Sequence, residues 1–165
     1  MKRCYLPLGS ISEGTLRNED LIESFGDALE SVAPRRYRKI MSDHRKGMRE
    51  VRRDFKDEIE RQSHYGNEFS ITVEALGQAL YDFCAPYTYF GPHSGDGACF
   101  GVWVDHEAID ADVHDGDVMK VNDLSDVQRE RPHGYTGMVL HVNDHGNTTL
   151  YRCVRNRLYE IWAVV

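Results

Sequence analysis

Apolar positions in the first half of the chain recur every three or four residues, whereas those of the second half run continuously or alternate. The first spacing is that of amphipathic helices, and the second is that of strands. Leu21, Phe25, Leu29 and Val32, with Ile22 beside them, predict a helix that Asn18 caps and Pro34 ends. Glu19 and Asp20 suit its first turn, where the helix dipole favours negative charge. Gly26 costs about 1 kcal/mol relative to Ala inside a helix, which predicts close approach by a neighbouring element. Tyr37, Met41, His44, Met48, Val51, Phe55 and Ile59 then form one narrow stripe. They predict a long helix from Tyr37 to Arg61, antiparallel to the first, and leave dimerisation through that helix open. After a polar connector, "QSHYGNEFS", Thr72 is the expected cap of a third helix that buries Val73, Leu76, Leu80 and Phe83 and stops at Pro86.

From Tyr87 onward the runs "PYTYF", "CFGVWV", "DVMKV", "GMVLHV", "TTLYRCV" and "LYEIWAVV" read as strands. Asp96-Gly97, Asp115-Gly116 and "NDHGN" supply turns, and a brief helix is expected at His106 to Val113 behind an Asp105 cap. A short extended piece precedes the first helix. The expected fold is α+β: an N-terminal helical hairpin plus a third helix, followed by a small antiparallel β-sheet meander. We expect a single domain over 1–165, with a charge-segregated helical element at 1–62, a helix and sheet at 71–165, and the boundary in the connector.

Composition adds four constraints. The chain has 165 residues, 41% of them hydrophobic and 28% charged, which excludes a disordered protein. No apolar run reaches the ~18 residues of a membrane span, and the start lacks the apolar core of a signal peptide, so a cytoplasmic location is expected. Cys4, Cys84, Cys99 and Cys153 are scattered without a paired motif and read as reduced thiols. Net charge is −7, but Arg35 to Gln62 holds eleven Lys or Arg against six Asp or Glu, and residues from 63 onward hold six against fifteen. The basic run 35–56, with Arg35, Arg36, Arg38, Lys39, Arg45, Lys46, Arg49, Arg52 and Arg53, is a candidate nucleic-acid surface. Within it, Arg38, Arg45, Arg49 and Arg52 are the candidate contacts to a protein partner.

The stretch "YFGPHSGDGACFGVW" concentrates the candidate chemistry in Gly91, His93, Gly95, Asp96 and Gly97. Its glycines suggest a phosphate cradle, but they run into a strand, and no Lys or Arg lies between Arg61 and Lys120. A tight connection through positive φ is the simpler reading. His93 and Asp96, with Asp144 and His145 of "NDHGN", are ligand types for a divalent metal such as zinc or manganese. His114 and Asp115 form a third pair. A metal-dependent enzyme built on the 91–97 and 143–147 loops would use the metal to polarise a substrate or activate water. Cys99 beside His93 or His145 is a weaker constellation for covalent catalysis, because eight histidines make chance proximity common.

"YFGPHSGDGACFGVW", "VNDHGNTTLYRCV" and the "EIWAVV" end resemble a recurring group of small proteins encoded by phages, plasmids and their bacterial hosts. The opening "LPLGSISEGTLRNEDLIESF" is similar to theirs as well, whereas Cys99 stands where an acidic residue is expected. The resemblance implies a mobile-element accessory protein and no established activity. With no coherent catalytic motif in the chain, the leading expectation is a non-catalytic protein without a cofactor. It would bind a host protein complex, such as a defence system, through its helical region and exposed loops.

Overall fold

In the computed structural model, which describes residues 5–130 and 134–165, the helical periodicity becomes three helices after a short strand. Strand β1 is Gly9–Ser12, and α1 (Asn18–Val32), α2 (Pro34–Asp54) and α3 (Glu58–Tyr81) follow. Cys4 lies outside the described residues. Arg17 rather than Asn18 is the residue preceding the first turn of α1, and Pro34 opens α2, where its missing N–H is harmless. The ring of Tyr37 packs over Gly26, which explains that glycine inside a helix.

The long helix expected over 37–61 ends early. Phe55 leaves helical geometry at φ −107° and ψ 116°, and the chain restarts two residues later. Asp57 caps α3 by accepting from the Glu60 N–H at 2.9 Å, with Glu58 and Glu60 in the favourable first turn. The expected connector at 62–70 is therefore helix, and Thr72 sits inside α3 rather than capping it. Its hydroxyl donates to the Glu68 carbonyl at 2.8 Å. The apolar stripe of α2 faces α1 and α3 of the same chain, while Ile59 belongs to α3 and is 83% exposed.

The strands form two sheets, not one. The first combines β1 with β2 (Thr88–His93) and β3 (Asp96–Val104) in the order β1-β3-β2. Phe25, Leu29, Leu76, Leu80 and Val102 are fully buried between this sheet and the helices. The second is built from β4 (Val118–Val121), β5 (Thr136–Val142), β6 (Thr148–Val154) and β7 (Arg157–Val164), with α4 (His106–Asp115) before β4 and α5 (Ser125–Glu130) between β4 and β5 in the chain. Its order is β4-β5-β6-β7. The β5-β6-β7 meander is antiparallel as the short turns predict, but β4 pairs parallel to β5. A parallel partner needs a crossover, and α5, which the sequence reading did not assign, lies within it.

The chain divides into two units. A helical unit holds the residues up to Cys84 with Thr88–Trp103, and a sheet unit holds Ala85–Tyr87 with the residues from Val104. The sheet unit has its own core around Val121, Val127, Val139 and Cys153. Among the described residues no helix is long and apolar enough to cross a membrane.

Candidate functional site

The glycine-rich stretch is a β-hairpin. Strands β2 and β3 are joined by Ser94 and Gly95, and Asp96 and Gly97 already belong to β3. None of Gly91, Gly95, Gly97 and Gly101 adopts positive φ, so the tight left-handed connection expected from the sequence is absent. Gly101 is required for another reason. It pairs with Ser10 across β1 and β3, and an added Cβ would overlap the Gly9 carbonyl and the Trp103 ring.

His93, Asp96 and Cys99 are brought together on this hairpin, where they line a cleft of about 480 Å³ with Ser10, Glu13 and Trp103. The His93 ring meets Trp103 edge-on at 4.8 Å between centroids, and its Nδ1 accepts from the Gly95 N–H at 3.1 Å. Asp96 Oδ1 accepts from the Ala98 N–H at 2.9 Å. Partial burial, and after it the carboxylates of Glu13 and Asp96, pushes the Cys99 thiol up. Less of the thiolate is then present, which is the reverse of what a cysteine nucleophile needs. No hydrogen bond joins Cys99 to a histidine among the described residues.

Asp144 and His145 lie exposed at the β5–β6 turn of the sheet unit. Asn143 organises that turn alone: its Oδ1 accepts from the N–H groups of His145 and Asn147, each at 3.0 Å, and Gly146 takes φ 81°. The four proposed metal ligands are thus divided between the two units. Within either unit, no group of three or more His, Cys, Asp or Glu side chains suited to a metal is gathered among the described residues. His114 and Asp115 are exposed at the end of α4, where Gly116 supplies the left-handed cap at φ 85°.

The basic helix is exposed along its outer face. Arg35, Arg38, Arg45, Arg49 and Arg52 are all accessible and make no ion pair among the described residues. Among the described residues, Arg36 alone pairs outside α2, with Asp82 at the end of α3 at 2.5 Å. Lys39 and Lys46 pair within α2 to Asp43 and Glu50, and Arg53 pairs with adjacent Asp54. The helix carries nine Lys or Arg against three Asp or Glu.

Glu13 and Ser10 are cleft residues that the sequence reading missed. Only the β1–β3 pairing places them there, and the chain carries no local signal of it. In the sheet unit, the Tyr87 hydroxyl donates to Asp112 at 2.5 Å while its backbone takes φ 59°. No protein-family model, curated protein or solved structure matches the chain.

Proposed function

We propose that this chain is a non-catalytic binding protein, a mobile-element accessory protein that docks in the cytoplasm onto a host protein complex such as a defence system. The observation that carries this reading is the outer face of α2, where Arg38, Arg45, Arg49 and Arg52 are exposed and without a counter-charge among the described residues. Clustered like charges repel one another, so a fold gains nothing from concentrating them on one face. A partner with complementary potential turns the same charges into faster encounter and correct register.

The test is affinity purification of the full chain from its host, compared with the double variant R45E/R49E. A host protein complex recovered with the wild-type chain and lost with the variant is the expected outcome. Failure to recover any host protein with the wild-type chain overturns the reading.

A further inference from the structure

The cleft on the β2–β3 hairpin combines two carboxylates, a neutral imidazole and an indole. Its volume of about 480 Å³ lies within the ~300–1,000 Å³ of small-ligand sites. Glu13, which follows β1, and Asp96, which opens β3, bring their carboxylates to it from different segments. Both are exposed, and neither makes an ion pair among the described residues. No Lys or Arg is among the lining residues. Nor does His93 supply a positive charge. A ring nitrogen that accepts carries no proton, so the imidazole is neutral while its Nδ1 accepts from the Gly95 N–H.

These groups are held in place. Ser10 Oγ donates to Glu13 Oε1, and the Ala98 N–H to Asp96 Oδ1 at 2.9 Å. The second oxygen of each carboxylate makes no hydrogen bond among the described residues. Trp103 supplies the wall. Its indole N–H donates to the Gly91 carbonyl at 2.9 Å, and its Cζ2 lies 2.7 Å from where a Cβ on Gly101 would stand. The half-buried ring is thus fixed against two glycines, beside the His93 imidazole. An indole face attracts cations, and the carboxylates add to that attraction.

The arrangement selects among cations. A metal ion draws its ligands to within about 2–2.6 Å of one point. No three His, Cys, Asp or Glu side chains are gathered in that way among the described residues. An ammonium is compact and strongly hydrated, and an open cleft does little to strip its water. A guanidinium is planar and more weakly hydrated, presents its N–H donors as a fork, and stacks on aromatic rings. It can engage carboxylates from separate segments and an indole at once.

We propose that this cleft binds a guanidinium group, carried by an arginine side chain or a small guanidine. Glu13 and Asp96 accept its N–H groups, and Trp103 packs against its plane. The site is independent of the α2 face, so it stands or falls apart from the docking function.

The experiment follows the Trp103 indole N–H by NMR in the full chain, titrated with butylguanidinium and with a blocked Gly-Arg-Gly peptide. Butylammonium and blocked Gly-Lys-Gly are the comparisons. We expect a saturable shift with both guanidinium probes, and binding at least about tenfold weaker in E13Q/D96N, where both charged acceptors are lost. That variant keeps an acceptor oxygen for Ser10 and for the Ala98 N–H, and its unshifted signals elsewhere report that it is folded. Should it not fold, E13Q and D96N are titrated singly, and each is expected to weaken binding. E107Q/E160Q, which removes the same charge at exposed positions on α4 and β7, leaves the affinity unchanged. Tighter binding of the peptide assigns the cleft to an arginine side chain, and tighter binding of butylguanidinium assigns it to a small guanidine. No saturable shift with either guanidinium probe overturns the proposal. So do ammonium probes that bind as tightly, carboxamide variants that bind like wild type, or an equal loss in E107Q/E160Q.

Discussion

Two glycines four positions apart in the β2–β3 hairpin have opposite reasons to exist. Gly101 is buried opposite Ser10, and backbone rather than a flexible side chain occupies the space of its missing Cβ. Gly97 has nothing within 4 Å of that position and no positive φ. Gly101→Ala is therefore expected to destabilise the protein by about 2 kcal/mol through overpacking, and Gly97→Ala to stay within about 0.5 kcal/mol of wild type. Denaturant midpoints measure both, and equal midpoints for the two variants would refute the account. Tyr87 shows a different local conflict, a bulky residue in the left-handed region. Its carbonyl accepts from the Asp105 N–H at 2.9 Å, and the preceding Pro86 carbonyl accepts from the Trp162 indole at 2.9 Å. Its hydroxyl is pushed up to about 12 by burial first, and then by its bond to Asp112. Tyr87→Phe removes that bond and should lower stability by about 1.5 kcal/mol near neutral pH. The folded group holds its proton more firmly than the unfolded chain, so this contribution is complete below pH about 10 and fades towards 12. An absorbance titration should show one tyrosine ionising near 12 in the wild type and missing from the variant.

At the scale of elements, α2 and α3 meet through a half-buried polar contact. His44 Nδ1 lies 2.8 Å from the Thr72 hydroxyl, whose own hydrogen goes to the Glu68 carbonyl, so the imidazole is the donor. Phe69 packs beside the ring at 5.6 Å between centroids. Burial lowers the His44 pKa, opposed by the Glu68 carboxylate and reinforced by Arg45. The unfolded chain therefore binds this proton more readily than the folded one. Stability from the contact is complete above about pH 6.5 and is lost as pH falls through the lowered folded value. His44→Asn, which keeps a donor, should flatten the fall in denaturant midpoint between neutral and mildly acidic pH; an unchanged profile would assign that fall elsewhere. This contact also marks how far the sequence could be read. The periodicities of α1 and α2, the Asp105 cap and the β5-β6-β7 turns were legible because each is local. The break at Phe55 was hidden because the apolar stripe continues through it in register. Its signal was the acidic cap Asp57-Glu58-Ile59-Glu60 rather than any Pro or Gly. The parallel β4–β5 pair and the placing of Ser10 and Glu13 beside Cys99 depend on pairings between distant segments, which no local pattern encodes.

For the whole molecule, a net charge of −7 conceals a helix whose own balance is +6. Were the surrounding acidic residues there to neutralise α2, its arginines would pair with α1 and α3. Among the described residues, Arg36 alone pairs outside the helix. The row of Arg38, Arg45, Arg49 and Arg52 then acts against stability, since each guanidinium raises the electrostatic energy of the next. Surfaces kept for recognition commonly lower stability in this way. The consequence separates a recognition surface from a solvated helix face of no particular use. Replacing Arg45, Arg49 and Arg52 together with Gln preserves helix propensity and removes the repulsion. We expect the triple variant to melt higher than wild type at low ionic strength, and the gain to vanish in about 1 M salt, where the screening length falls to about 3 Å. A variant that melts lower at low salt would show that these arginines hold the fold together, and the α2 face would then lose its claim as a docking surface.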